Sequence, residues 1–358
     1  MINFFLGAAL VAAPFFFKLA PHSAHTLSQE YFFALVVMVG VLIFGIKKTH
    51  KNFKIIAVCF FVLAFVTKNP FGLYPFYQLV LSTAGTMFTA MIYSHKREIN
   101  YNFIKNCLGT ICVLESIFLI TQISGIDPYA EWFGFLGFYY KVIDTGARFV
   151  SGSLGNINNS AAIVAVTLPF LRPIFWVLPL TVLLFSNSTM PVITSAVAIL
   201  AMYSYRTKNY KVIYFGAIAL FLAAASLIAG LIPAGSYFSD SHRLTAWKLL
   251  WKKIGFQLYG LGFGYVPDVF SKIKVPGVGN GRFYSMHNEW IELYAIGGLL
   301  AVGVGIYLIL PVFKNKGNAE INACLIALLV NSLGNFTFHI APLFMIFGTC
   351  YALQLKDK

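Results

Sequence analysis

Charged residues are scarce in this chain, since Asp, Glu, Lys and Arg make up only 11% of its 358 residues. A soluble domain carries about 25%. Apolar residues make up 59% of the chain, and its mean hydropathy is +0.77. This composition excludes a cytosolic enzyme, a secreted disulfide scaffold and a disordered tail protein. The class that remains is a polytopic membrane protein.

Several sequence motifs are also absent. The chain has no C-x-x-C pair, no D-x-D, no H-x-x-x-H and no Walker-type G-x-x-x-x-G-K-[ST] run. We therefore expect no metal and no cofactor. The cysteines lie in or beside apolar runs and are interpreted as small buried hydrophobic residues. They are Cys59, Cys107, Cys112, Cys324 and Cys350.

Apolar runs recur along the whole chain and predict an all-α bundle of about twelve membrane spans in a single integral membrane domain, 1–358. The N-terminus has no basic region and no clear cleavage site, so we expect the first run to be a retained span. The predicted spans are 2–20, 29–46, 54–68, 71–94, 102–123, 157–172, 174–187, 190–205, 211–232, 288–312, 319–338 and 341–355.

The distribution of charge predicts the orientation. With the N-terminus inside, the short inside connections hold 15 of the 26 basic residues and only three of the 12 acidic ones. This bias is typical of cytoplasmic loops, and it places both termini in the cytoplasm. The net charge of +14 is then a topology signal, and no nucleic-acid partner is needed to explain it. Two long loops, 124–156 and 233–287, fall outside, where we expect the function to lie.

The second outer loop contains a predicted amphipathic helix from Arg243 to Leu258, lying in the membrane interface. Lys248, Lys252 and Lys253 lie away from its apolar arc and suit lipid headgroups. Arg243 lies inside the arc. Its side chain has two possible roles. The planar guanidinium can bind a phosphate or pyrophosphate through two hydrogen bonds, or the side chain extends out to water from a frayed first turn of the helix. The apolar arc comprises Leu244, Trp247, Leu250, Trp251, Ile254 and Leu258.

After this helix, residues 260–264 read G-L-G-F-G. Because no strand–helix unit surrounds them, the pattern favours a tight re-entrant turn over nucleotide binding. The loop ends at His287 and Asn288, directly before a predicted span. His287 is either a proton acceptor or a solvated interfacial histidine, and Asn288 is a candidate helix cap. His242 and His339 compete with His287 for the same role.

The first outer loop ends with two glycines and two asparagines before the span near residue 157. Asn156 and Asn158 either help the helix N-terminus to bind an anion, with Arg148 as a nearby cation, or form an ordinary turn into the helix. Glu115 lies in the middle of a predicted span. A carboxylate at that depth is either a functional group or hydrogen-bonded within the bundle.

Three motifs in this order resemble the O-antigen ligase and polymerase superfamily, which includes bacterial protein O-oligosaccharyltransferases. The resemblance covers about residues 145–312, and all three motifs fall on the predicted outer face. They are 148–161, which reads R-F-V-S-G-S-L-G-N-I-N-N-S-A; Arg243 to Trp247 followed by the 260–264 turn; and His287-Asn288 followed by Gly297-Gly298.

The resemblance implies a metal-independent glycosyltransferase of the bacterial inner membrane, facing the periplasm. Its donor would be a glycan on undecaprenyl pyrophosphate, and its acceptor a hydroxyl of a glycan, a glycolipid or a protein. Arg243, and secondly Arg148, would stabilise the leaving pyrophosphate, together with Asn156 and Asn158. His287 would orient or deprotonate the acceptor hydroxyl. Trp247, Asn288 and Gly262 would support this site.

One departure from the family is a missing Ser-Arg pair. The corresponding region, 186–191, reads S-N-S-T-M-P and has no arginine. Lys141, Arg148 or Arg282 could substitute for it, or the chain belongs to a divergent branch. Two other interpretations stay open: a transporter or flippase of lipid-linked glycan, which performs no bond chemistry, and a structural membrane subunit whose outer loops bind a partner.

Overall fold

A computed structural model shows an all-helical protein. It describes residues 1–15, 27–67, 73–126, 128, 152–154, 156–186, 188–209, 211, 241–266, 288–314, 317–335 and 337–355. These described residues are 79% helical and contain no β-strand. Two helical segments, Tyr101–Ile123 and Glu289–Leu310, are long and apolar enough to cross a membrane.

Twelve α-helices and two short 3-10 helices make up the described part of the chain. The 3-10 helices, Leu168–Phe170 and Pro173–Phe175, each have a proline as their first or second residue. The α-helices are α1 Ile2–Phe15, α2 Leu27–Phe44, α3 Lys51–Val66, α4 Leu73–Ser94, α5 Tyr101–Ile123, α6 Ile157–Thr167, α7 Val177–Phe185, α8 Thr189–Thr207, α9 Ser241–Ile254, α10 Glu289–Lys314, α11 Ala319–Asn331 and α12 Ala341–Gln354.

The helices pack in two groups around buried apolar side chains. Helices α1, α2, α4 and α12 form one group, and α5, α6, α7, α8 and α11 form the other; α1 packs on α5, and α11 packs on α12. Helices α3 and α10 contact each other and lie at the edge of the first group. Fully buried side chains such as Phe88, Leu108 and Leu325 fill the largest core cluster.

Polar contacts gather the helix ends into two sets, at opposite ends of the bundle. At the first, which we call the basic end, the carboxylate of Glu320 accepts from Lys105 and Arg206, each at 3.0 Å. There the Tyr101 hydroxyl also donates to Asn318 at 2.7 Å. Further contacts at this end join Lys48 to Ser94, His95 to Phe44, Lys96 to Leu355, and Asn3 to Glu98 and Asn100.

The opposite end, which we call the loop end, holds the starts of α6, α8 and α10 and the last residues of α5 and α11. Gln122, near the end of α5, accepts from the backbone N–H of Gly152 at 2.7 Å, and the backbone N–H of Glu289 donates to the carbonyl of Ser332 at 3.0 Å. Both predicted outer loops therefore meet the described bundle at the same end.

Several predicted boundaries differ from the structure; the run 157–172, for example, is α-helical only to Thr167. The run 319–338 was expected to be one helix, but α11 ends at Asn331, and residues 332–335 and 337–339 form turns and bends. The N–H groups of Ser332, Leu333 and Gly334 still bond back to α11, whereas those of Thr337 and Phe338 bond to Glu289 at the start of α10. The interfacial helix also ends earlier than expected, at Ile254, because Gly255 adopts a left-handed φ of 57°. Leu258 therefore lies outside that helix. The predicted span 211–232 lies almost entirely outside the described residues.

Candidate functional site at the loop end

In segment 260–264, the glycine-rich segment for which a tight turn was predicted, residues 263–264 form a turn and residues 260–262 lead into it without regular secondary structure. Gly260, Gly262 and Gly264 have φ values of 72°, 86° and 73°. These values lie in the left-handed region, which favours glycine because a Cβ would clash with the backbone. The alternating glycines therefore follow from the backbone path of the turn.

This turn bonds to helix α10 at a point where that helix is broken. Gly298 has φ 65° and ψ −160°, so its backbone is not helical. Before the break, the carbonyl of Ala295 accepts from Leu261 N–H and that of Ile296 accepts from Gly262 N–H, both at 2.9 Å. The backbone polar groups that the break releases thus find partners in the turn.

The bonding continues after the break. The N–H of Leu299 donates to the carbonyl of Gln257 at 3.1 Å, and that of Leu300 donates to Leu258 at 3.2 Å. Gly298 lies nine residues into α10, roughly 13 Å along a helix from its start. Segment 257–262 therefore lies against the broken helix on both sides of Gly298.

Helices α3 and α4 hold the other side of the turn. The N–H of Phe263 donates to the hydroxyl of Thr67 at 3.0 Å, and the N–H of Gly264 donates to the side-chain oxygen of Gln78 at 2.8 Å. A Cβ on Gly262 would lie 2.7 Å from the Cα of Thr67. Neither Thr67 nor Gln78 was predicted as a site residue. A polar residue in an otherwise apolar run is the only sequence signal that could have identified Gln78.

Helix α9 shares a small buried cluster with the first half of α10. Ala246, Leu250 and Ile254 are buried there in a cluster with Tyr294, and Trp247 packs against the same cluster. The Tyr294 hydroxyl donates to the carbonyl of Gly255 at 2.8 Å, which fixes the end of α9 against α10. Trp247 therefore contacts the cluster that joins α9 to α10.

Trp251 departs from the predicted apolar arc. Its side chain is 58% exposed, and its ring stacks on that of Tyr294 at 5.5 Å. The buried face centres instead on Ala246, because helix α10 contacts α9 on that side. Lys248, Lys252 and Lys253 are exposed, as predicted.

The backbone of Arg243 is part of helix α9, but its side chain is not among those that the structure describes. The helical register places position 243 on the same face as Ala246 and Leu250, three and seven residues later. That face is the one packed on α10. Arg148 and His287, as well as the alternatives Lys141, His242 and Arg282, have side chains outside the described residues.

Asn156 and Asn158 begin helix α6 at the loop end. The side-chain oxygen of Asn156 accepts from the N–H of Asn158 at 2.9 Å and caps the helix. The side-chain oxygen of Asn158 accepts from the hydroxyl of Ser188, and its carbonyl accepts from the Asn335 amide at 3.1 Å. Ser188 lies in segment 186–191, which has no arginine, so that segment adjoins the start of α6.

Glu115 holds the turn that precedes α6. Its carboxylate is fully buried and accepts from the N–H of Ser153 at 3.0 Å. Gly152 has φ 66°, and a Cβ there would lie 2.1 Å from the hydroxyl oxygen of Ser160. Of the two roles considered for Glu115, these contacts favour the structural one.

Asn288 caps helix α10 and ties it to the segment 332–339. Its side-chain oxygen accepts from the N–H groups of Trp290 and Ile291, both at 3.0 Å, and its amide donates to the carbonyl of Leu333 at 2.7 Å. Asn335, two residues further on, bonds to Asn158. The starts of α6 and α10 therefore contact one short segment, which brings the two predicted motifs together.

A histidine–carboxylate cluster lies below this cap. Glu289 accepts from the N–H groups of Thr337 and Phe338 at 2.8 and 2.7 Å, and from His339 Nδ1 at 3.0 Å. His339 Nε2 lies 3.7 Å from a Glu292 oxygen. His339 was a candidate from the sequence, but the two glutamates, one helical turn apart, were not.

Comparison with known proteins adds no family assignment. No family model matches this chain, and no curated protein matches it.

Proposed function

We propose that this protein is a membrane glycosyltransferase, which moves a glycan from a polyprenyl pyrophosphate, such as undecaprenyl pyrophosphate, to an acceptor hydroxyl at the loop end. The observation that carries the proposal is the pairing of the 260–264 turn with the broken helix at Gly298. This pairing joins two of the three motifs shared with the O-antigen ligase and polymerase superfamily. It also fixes helix α9, which carries Arg243, beside the start of α10.

A twelve-span bundle in the bacterial inner membrane is part of the proposal. Beyond the two long apolar helices, its support is the separation of the two ends, since the short connections rich in Lys and Arg meet at the basic end. Large apolar side chains also face outward along α2, including Leu35, Met38 and Leu42. The basic end faces the cytoplasm, together with both termini, and the loop end faces outward.

The leaving group of the proposed reaction is a pyrophosphate, which requires positive charge beside it in the site. As the glycosidic bond breaks, negative charge grows on the pyrophosphate, so a cation bound to it stabilises the transition state more than the ground state. Arg243 has this role because its position lies on the inward face of α9. Arg148 is the second cation. The start of α6 at Asn156 and Asn158 adds the partial positive charge of a helix N-terminus.

The acceptor hydroxyl must lose its proton as it attacks the anomeric carbon. His287 is the proposed base, directly before the cap at Asn288. The side-chain amide of Asn288 donates to the carbonyl of Leu333, and this bond fixes the start of α10, the helix that His287 directly precedes in the sequence. The proposed reaction uses no metal and no cofactor.

Deletion of the gene in its source cell tests the proposal through the gel profile of surface glycolipid. Loss of all long glycan, with donor accumulating on its lipid, indicates a ligase. Collapse to a single repeat unit indicates a polymerase. An unchanged profile excludes both the ligase and the polymerase. Glycan transfer to protein is then the remaining form of the proposal, and loss of protein glycosylation in the same strain tests it.

A transporter of lipid-linked glycan is the second candidate, and the break in α10 favours it, because transporters bind substrates at discontinuous helices. In transporters, however, the unwound backbone faces a ligand. Here its carbonyls at Ala295 and Ile296 bond to the turn. Cleavage of a polyprenyl pyrophosphate donor by the purified protein distinguishes the two candidates.

A further inference from the structure

A cavity of ≈ 300 Å³ lies between helices α3, α4, α10 and α12. This volume is at the lower end of the range for ligand pockets, roughly 300–1,000 Å³. Most of its wall is apolar, which suits a hydrocarbon chain. The apolar lining includes Ile56, Leu63, Leu81, Val304, Phe344 and Phe347.

The polar part of the wall, which we call the acidic end of the cavity, carries two carboxylates. Glu289 and Glu292 lie in the first turn of α10, where the helix dipole favours an ionised carboxylate. Glu289 accepts from two backbone N–H groups and from His339 Nδ1. Glu292 is almost fully buried, at 2% exposure, and its carboxylate lies 3.7 Å from His339 Nε2. A single imidazole ring therefore lies between the two carboxylates.

Gln78 completes the acidic end without adding charge. Its amide nitrogen lies 3.5 Å from a Glu292 oxygen and 3.4 Å from His339 Nε2, and its side-chain oxygen accepts from the N–H of Gly264. Because both ends of this side chain already bond within the protein, we assign Gln78 no contact with a ligand.

The charge of the acidic end is negative in either protonation state of His339. With both carboxylates ionised, a neutral ring leaves two negative charges and an imidazolium leaves one. Among the described residues that line the cavity, no lysine or arginine offsets this charge. Negative charge in an apolar cavity attracts a cation and repels a phosphate or carboxylate, and an uncharged group leaves it uncompensated.

A carboxylate can accept from an ammonium in addition to its existing partners, since its two oxygens offer about four lone-pair sites. Glu320 does this at the basic end, where it accepts from both Lys105 and Arg206 at 3.0 Å. The two contacts of Glu292 described above, at 3.5 and 3.7 Å, are longer than the roughly 2.7–2.9 Å of a charge-assisted hydrogen bond. A cationic donor can therefore approach Glu292 more closely than these partners do.

We propose that this cavity binds a single-chain amphiphile with a cationic amine head, with the ammonium on Glu292 and the chain between α3, α4, α10 and α12. The site goes beyond the proposed transfer reaction. Its negative charge repels a pyrophosphate, so it is not the site of the donor's head. The chemical class of its ligand is an alkylammonium.

Photolabelling of the purified protein in phosphatidylcholine nanodiscs tests this site without any turnover. The probes are dodecylamine, dodecanol and dodecanoic acid, each with a diazirine on the chain, and labelled peptides are read by mass spectrometry. The measured ratio is the labelling of α12, which lines the cavity and whose residues are all buried or half-buried, divided by the labelling of α2, which exposes Leu35, Met38 and Leu42. This ratio corrects for the amount of each probe that enters the bilayer.

We expect the ratio for the amine to be about tenfold that for the alcohol, an effect of the size of one hydrogen bond to a buried charged group. The acid should give the lowest ratio, because the carboxylates repel it. This comparison uses the wild-type protein and needs no variant.

Glu292→Gln removes one charge at nearly constant side-chain volume. We expect it to lower the ratio for the amine about tenfold, to that of the alcohol. Glu115→Gln is the matched control, because Glu115 is also fully buried but does not line the cavity, and it should leave the ratio unchanged. If Glu292→Gln does not fold, the wild-type comparison of amine with alcohol decides the charge of the head.

A second pair of variants defines the position of the chain. Thr86→Phe fills the cavity and is expected to abolish the labelling of α12 by all three probes; Ser82→Leu replaces it if that variant does not fold. Leu200→Phe, at an exposed position of α8, is the matched control and leaves labelling unchanged.

Labelling of α12 that neither Thr86→Phe nor Ser82→Leu reduces would overturn the site. Equal ratios for amine and alcohol, or a preference for the amine that persists in Glu292→Gln, would overturn the cationic head at Glu292. The proposed function fails separately, because it fails only if the purified protein does not cleave a polyprenyl pyrophosphate donor, whatever the labelling shows.

Discussion

Gly260 and Gly298 approach each other so closely that neither position has room for a side chain. A Cβ on Gly260 would lie 2.5 Å from the backbone nitrogen of Gly298, and a Cβ on Gly298 would lie 2.6 Å from that of Gly260. Both residues also have left-handed φ values. The contact between the turn and the broken helix therefore depends on glycine at both positions.

Replacement of Gly298 by alanine is expected to lower the free energy of unfolding by about 1–3 kcal/mol, through backbone strain and the clash with segment 258–260. Gly303→Ala is the matched control in the same helix, because nothing lies within 4 Å of a Cβ there. Thermal unfolding of both purified variants measures the difference. Equal melting temperatures would show that the turn does not pack on the break as described.

Asn288→Ala is expected to destabilise the protein by about 1–2 kcal/mol, because α10 loses its cap. It should also reduce glycan transfer, since the start of α10 moves relative to segment 332–339. Asn100→Ala removes a similar cap, on α5 at the basic end, and should cost similar stability while transfer persists. Loss of transfer in both variants to the same degree would remove Asn288 from the site.

Glu115→Gln tests whether this buried carboxylate is structural. A glutamine keeps a side-chain oxygen that can accept from Ser153 N–H, so folding and glycan transfer should stay close to wild type. Glu115→Ala leaves that buried N–H without this acceptor, which costs about 1–3 kcal/mol. A stable Glu115→Gln protein without activity would instead assign Glu115 a functional role.

Arg243→Ala is expected to reduce glycan transfer by about 10²–10³-fold, the usual effect of removing one group that stabilises developing charge. Membrane insertion and thermal stability should change little. Lys248→Ala is the control on the same helix, since Lys248 is exposed. Arg243→Lys should recover only part of the activity, because an ammonium cannot bind a pyrophosphate through a planar fork. Wild-type turnover by Arg243→Ala would exclude Arg243 from the mechanism.

Local features were the predictable part of this structure. The left-handed glycines of 260–264 and the asparagine caps at Asn156 and Asn288 follow from backbone sterics and the needs of helix termini. Contacts between distant segments were not predictable. The bond between Gln78 and Gly264 joins residues 186 positions apart, and nothing in either segment specifies the other.

The early end of α11 has a partly local cause. Residues 332–339 read S-L-G-N-F-T-F-H, and glycine and asparagine are residues that commonly end helices. Beyond them, the backbone N–H groups of Thr337 and Phe338 bond to the carboxylate of Glu289, a tertiary contact that the local sequence does not specify. The same contact brings His339 beside Glu289, so this histidine–carboxylate cluster could not be derived from either segment alone.

Release of polyprenyl pyrophosphate by the purified protein tests the central claim most directly. The donor is the lipid-linked glycan extracted from a strain that lacks the gene, and the products are separated by liquid chromatography and mass spectrometry. Glycan transferase activity predicts free polyprenyl pyrophosphate with the wild-type protein and with Lys248→Ala, and little with Arg243→Ala. An intact donor after incubation with a folded wild-type protein and an acceptor extract of the same cells would contradict the account.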